Sequence, residues 1–195
     1  MISSSVCRLV VLTGGPGAGK TAILDIARRS FGQRVLVLPE SASILFGGGF
    51  WRSSSPAGRK AAQRAIYYVQ REQQRMVLEE GLHPFVLCDR GTLDGLAYWP
   101  EDVSSFWSDL GTTYEAELAR YAAVIHLRTP SQGNGYNHQN PLRTEDAARA
   151  AEIDAGILQV WSAHPRRTVI DSSEDFLTKV HATLGVIEAL IKEGG

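Results

Sequence analysis

The chain has 195 residues, 44% of them hydrophobic, with a formal net charge of −1. That is enough apolar material for one core without metal or disulfide staples, and too much for a disordered chain. The near-zero charge supplies no global field for nucleic acid or anionic lipid, so a nucleic-acid partner is not expected. Residues 1–5 lack the basic and apolar stretches of a signal peptide, and no run approaches the ~18 apolar residues of a membrane span, so the chain reads as cytoplasmic.

In chain order, Arg8–Thr13 is a β-branched apolar run that stops at glycines and predicts a buried strand. Lys20–Phe31 carries helical spacing, with Ile23, Leu24, Ile26 and Ala27 on one side, and Gly32 ends it. Residues 35–38 predict a second strand before Pro39. Residues 40–58, with Gly47-Gly48-Gly49 and Ser53-Ser54-Ser55-Pro56 flanking aromatics, read as a loop. Residues 59–81 predict a long helix, and Phe85–Asp89 a third strand that ends in a carboxylate.

Short helical pieces are expected at Thr92–Tyr98, Val103–Leu110 and residues 113–121, followed by a fourth strand at 122–127. Residues 129–141 form a polar loop before a helix at 144–163, which Thr144 would cap. A fifth strand at 167–171 and a closing helix at 174–192 complete the chain. The alternation predicts a five-stranded parallel sheet between helices, in one domain spanning residues 1–195. Cys7 and Cys88, in or beside strands, read as reduced thiols.

Gly14-Gly15-Pro16-Gly17-Ala18-Gly19-Lys20-Thr21 satisfies the pattern G-x-x-x-x-G-K-[ST] between a strand and a helix. Glycines let successive backbone N–H groups turn inward onto phosphate oxygens, and the following helix adds its positive end. Lys20 is expected on the β/γ-phosphates and the Thr21 hydroxyl on Mg²⁺. Val86-Leu87-Cys88-Asp89 places a metal-directed acid, Asp89, at a strand's carboxyl end, where open α/β sheets bind ligands. ATP is the expected nucleotide, with GTP left open. No Asn-Lys-x-Asp guanine-reading segment occurs.

These features, with Pro39-Glu40, Asp89-Arg90-Gly91, Asp94, Ala97-Tyr98 and Arg143-Thr144-Glu145, resemble the nucleoside- and nucleotide-kinase branch of P-loop proteins, including thymidylate kinase and deoxynucleoside kinases. They resemble more closely the small AAA-type ATPase/kinase-like family that contains the nicotinamide riboside kinase domain. The resemblance implies a three-layer α/β/α P-loop fold with a lid at about residues 129–150.

It implies that Glu40 faces the acceptor hydroxyl as a base, although a helix-capping role fits the same position. It places Arg90 near the acceptor or its phosphates, and Arg143, then Arg128, then Arg149 as candidate lid arginines that neutralise charge during transfer, against a reading as solvated surface arginines that fits Arg149 better. Asp171 and Ser172 fall where such proteins pack the nucleotide base. Deoxynucleoside kinases carry Glu-Arg-Ser where this chain has Asp89-Arg90-Gly91.

Other residues divide between ligand contact and packing. His126 on a strand reads as a hydrogen-bonded core residue, and the histidines show no metal-ligand spacing. Gln63, Tyr67, Tyr68 and Gln70 serve either an acceptor pocket or helix packing. Arg59, Lys60, Arg64, Arg71 and Arg75 give the long helix a basic side that faces water or an anionic acceptor. The leading expectation is a phosphotransferase acting on an unidentified small-molecule hydroxyl. The alternative is an ATPase or GTPase-type sensing module with a macromolecular partner.

Overall fold

The computed structural model describes residues 7–130, 147–172 and 175–194. Its strands are β1 (Arg8–Thr13), β2 (Leu36–Leu38), β3 (Phe85–Asp89), β4 (Ala123–Leu127) and β5 (Arg167–Ile170). Its helices are α1 (Lys20–Phe31), α2 (Ser41–Gly47), α3 (Pro56–Glu80), α4 (Val103–Leu110), α5 (Tyr114–Leu118), α6 (Ala147–Val160) and α7 (Phe176–Lys192). A 3₁₀ segment spans Thr92–Tyr98.

The five strands are parallel in the order β2-β3-β1-β4-β5. Alternate residues of β1 face opposite layers. Val10 and Leu12 join Ile23, Leu24 and Ala27 of α1 and Val180 and Ile187 of α7 in one core. Leu9 and Val11 join Val77 of α3 and Ile153, Ile157 and Trp161 at α6 in the other. Both faces are covered, which is why β1 and β3 read as unbroken apolar runs. β1 lies at the centre, so the loop leaving its carboxyl end opens where neighbouring strands diverge, the position at which open α/β sheets take ligands.

Two expectations are corrected. The segment after Glu40 is not wholly a loop: Ser41–Gly47 is helical, with Ile44 N–H donating to the Glu40 carbonyl at 3.2 Å. The long helix begins at Pro56 rather than at residue 59, because Ser55 caps it by accepting from Gly58 N–H and Pro56 occupies the first turn. The expected Thr144 cap lies outside the described residues. Among those residues, no helix is long and apolar enough to cross a membrane.

Candidate active site

The phosphate loop follows β1 and ends on α1. Gly14 has φ 141°, and a Cβ there would lie 2.1 Å from the Leu127 carbonyl oxygen; Gly19 has φ 91° and meets the Phe176 ring. Neither position admits a side chain, so these glycines are required by conformation and by the close approach of β4 and α7.

Lys20, 8% exposed, donates from Nζ to the Gly14 and Gly15 carbonyls at 2.7 and 2.9 Å. Burial, reinforced by the Arg90 guanidinium, lowers its ammonium to about 7. The site thus holds a lysine whose charge is poorly solvated, and a polyphosphate is the ligand that relieves it.

Two groups missed in the sequence brace the loop from behind. Asp154 of α6, 1% exposed, accepts from Gly15 N–H at 2.9 Å, lies 3.0 Å from His126 Nε2, and pairs with Arg128 Nε at 2.8 Å. Lys179 of α7 donates to the carbonyls of Ala18 at 2.9 Å and Arg128 at 2.6 Å, and its burial lowers it to about 8. Each sits on a buried, mostly apolar helical stripe: Ala150, Ile153, Ile157 and Trp161 around Asp154, and Val180 and Ile187, with the polar Thr183, around Lys179. A charged residue at a core position of an amphipathic helix is the signal that would have exposed them.

β3 delivers Asp89 and Arg90. Asp89 Oδ1 is buried without a hydrogen-bond partner among the described residues. Burial, against the attraction of Lys20, raises its carboxyl to about 6. An orphaned carboxylate oxygen beside the phosphate loop fits a hard cation shared with phosphate oxygens. Among the described residues, no group of three or more His, Cys, Asp or Glu forms a self-contained metal site.

Arg90 has φ 75°, in the left-handed region that costs a non-glycine residue energy. Its backbone is held there by Arg90 N–H donating to the Leu12 carbonyl at 3.0 Å and by Gln70 Nε2 donating to the Arg90 carbonyl at 2.7 Å. The result aims the guanidinium back across the site. Nε meets Glu40 Oε1 at 2.6 Å, while Nη1 reaches the Gly14 carbonyl and Asp94 Oδ2, each at 3.3 Å. Burial alone would raise the Glu40 carboxyl, but Arg90, aided by Ser43, holds it near 2. Glu40 is therefore a fixed carboxylate and a weak base.

Asp94 completes the frame. It is 3% exposed and also accepts from Trp161 Nε1 at 2.7 Å and from the Thr13 hydroxyl.

Lys20, Thr21, Glu40, Asp89 and Arg90 converge on one cavity of about 720 Å³, walled farther out by α2 and α3. Gln63, Tyr67, Gln70 and Arg149 also line it. Arg128 is not among the residues that line it and pairs with Asp154 behind the loop. Arg143 and most of the expected lid lie outside the described residues. Asp171 and Ser172 are exposed after β5.

Asp89→Asn is expected to stabilise the nucleotide-free protein at alkaline pH. The folded-state value, about 6, lies above the ordinary 3.8. The folded chain therefore binds this proton more tightly, and stability falls as pH rises through that interval. The penalty is complete above pH 6 and absent below 3.8. Urea unfolding should show a gain of about 1–3 kcal/mol at pH 8 that vanishes toward pH 4. A pH-independent difference would contradict the assignment of that proton.

A family model described as an AAA domain matches residues 9–179. Among solved structures, deoxyadenosine kinase from M. mycoides with bound dATP is similar, with a TM-score of 0.66 at 12% identity. The match covers 93% of this chain and 100% of that one. At that identity the likeness establishes the fold, a P-loop nucleoside-kinase architecture, and nothing finer. No curated protein matches the chain.

Proposed function

This chain belongs to that AAA-domain family, and from that premise we propose that it is a Mg²⁺-dependent kinase transferring the γ-phosphate of ATP to the hydroxyl of a small molecule. One observation carries the reading: the phosphate loop opens directly onto the 720 Å³ cavity, and the Glu40–Arg90 pair stands on its wall. A cavity of that size suits a small ligand, whereas a module acting on a macromolecule needs no such space beside its phosphates.

In this reading the loop amides and Lys20 hold the triphosphate, and Thr21 and Asp89 hold Mg²⁺, which supplies charge neutralisation. Glu40 accepts the acceptor hydroxyl's hydrogen bond and points its oxygen at the phosphorus. A carboxylate near 2 suffices for this, because a loose phosphoryl-transfer transition state develops little proton loss on the nucleophile until late. Arg90 fixes Glu40 and faces the transferring group. Arg143 is the proposed lid arginine, and Asp171 and Ser172 the proposed neighbours of the base.

Glu40→Gln tests the assignment. It keeps the side chain's shape and an oxygen acceptor but discards the charge that locks onto Arg90. Transfer to the best compound of a hydroxyl panel should fall by about 10²-fold, while the Kd for Mg–ATP shifts less than about threefold. Equal losses in both would remove the acceptor role from Glu40. A Mg–ATP turnover indifferent to every acceptor in the panel would remove the kinase reading itself.

A further inference from the structure

We infer that the acceptor of this site is anionic, carrying a carboxylate or phosphate that Arg52 and Arg59 hold at the end of the cavity away from the phosphate loop. The inference rests on the kinase reading for the reacting end and on the distribution of charge for the other.

Arg59 is placed by a chain of contacts leading outward from the loop. Arg90 bonds the Gly14 carbonyl, its Cζ lies 5.8 Å from the centre of the Tyr98 ring, and Arg59 Nη2 donates to the Tyr98 carbonyl at 3.1 Å. Arg52 and Arg59 line the same cavity as Lys20 and Glu40.

The basic residues of α3 are neutralised one by one, with a single exception. Lys60 pairs with Glu101 and Asp109 at 3.1 and 3.2 Å, Arg64 with Asp109 at 3.0 Å, Arg71 with Glu117 at 2.6 Å, and Arg75 with Glu72 and Glu79. Arg59, half-buried, meets no carboxylate among the described residues. Nor does Arg52, which is exposed but not free to wander: its guanidinium lies 3.9 Å from the centre of the Phe46 ring, and Phe46 in turn packs edge-on against Phe50. A guanidinium placed over a ring face keeps N–H groups available for an oxyanion.

Among the described residues, the acids that line the cavity are Glu40, Asp89 and Asp94, all beside Lys20 and Arg90. Glu40 and Asp94 are engaged by Arg90, and Asp89 faces Lys20. The cavity is therefore charge-polarised, balanced where the phosphoryl group would move and positive in excess where α3 begins. A neutral acceptor would displace water from two guanidiniums and return no charge to them, whereas a carboxylate or phosphate would form charge-assisted bonds to both.

Matched compounds test this on the full chain: glycerol, glycerate and glycerol 3-phosphate, and ribose, ribonate and ribose 5-phosphate. Calorimetry with Mg–ADP present should find at least one anionic member bound about tenfold or more tighter than its neutral partner. The acid and phosphate arms identify which oxyanion is preferred. The double variant Arg52→Ala, Arg59→Ala should bring that ratio close to one, and Arg59→Lys should restore part of it. Mg–ADP uptake by each preparation reports that it is folded.

The inference is overturned if charged and neutral members bind alike or not at all, or if the preference survives in the double variant. Efficient γ-phosphate transfer to a neutral member, with no response to its charge, would keep the kinase reading and remove the anion. Charge-selective binding lost in the double variant, without ATP consumption, would keep the anion and remove the kinase.

Discussion

Lys20→Ala is expected to lower ATP turnover by about 10³-fold and to abolish the thermal stabilisation that Mg–ATP confers on the chain. Lys20 Nζ donates to the Gly14 and Gly15 carbonyls, with its charge suppressed by burial and by Arg90. A triphosphate replaces those carbonyls with anionic oxygens, so the ammonium gains most where phosphate charge is densest, and charge-stabilising groups of this kind are worth about 10²–10³ in rate.

Bound ligand at a hundred times its Kd stabilises a native chain by about 2.7 kcal/mol, a rise in Tm that the variant should lack. The sign of the pH dependence is a second check. Because the folded-state value, about 7, lies below the ordinary 10.5, the folded protein holds this proton less tightly than the unfolded chain. The penalty is full below pH 7 and fades as pH rises toward 10.5. Without nucleotide, the native chain should therefore gain stability relative to the variant over that interval. Wild-type turnover in Lys20→Ala, together with an intact Mg–ATP shift in Tm, would remove the phosphate loop from the chemistry.

The phosphate loop was legible because its working parts are consecutive: glycines that permit the turn, then the ammonium and hydroxyl on the first turn of α1. β1 and β3 were legible because both of their faces are buried. The helix α2 was not. Its sequence, Ser41-Ala42-Ser43-Ile44-Leu45-Phe46-Gly47, has serines and a glycine edge that argue for a loop. The buried Ser41 is instead held to Gln73 of α3 at 2.9 Å, so packing between helices overrides local preference. Asp154 and Lys179 stayed hidden for a different reason: their partners, Gly15 and Ala18, lie 139 and 161 positions away. The strand order and the long-range pairing of Glu40 with Arg90 likewise belong to the assembled sheet. Only the local half of the site is written in adjacent residues.

Asp94→Ala should be among the most destabilising single changes outside the apolar core, by about 3–5 kcal/mol. The carboxylate joins three elements: Thr13 at the end of β1, Arg90 after β3, and Trp161 after α6. Removing it leaves a buried indole N–H and a buried hydroxyl without their acceptor, each costing about 1–3 kcal/mol, and leaves Arg90 with one acid instead of two.

Asp94→Asn distinguishes charge from shape. An amide can accept from one side only, so its NH₂ must face Trp161 Nε1 on one edge or Thr13 and Arg90 on the other. Its loss should be smaller, about 1–3 kcal/mol, and accompanied by a fall in turnover as Arg90 loses a constraint. Urea midpoints read the stability, and steady-state rates at saturating Mg–ATP read the second effect. Should Asp94→Ala unfold within about 1 kcal/mol of the native chain, Asp94 would not be the joint between the phosphate loop, Arg90 and α6. The strained backbone of Arg90 would then have to be held by its own two hydrogen bonds, to Leu12 and Gln70.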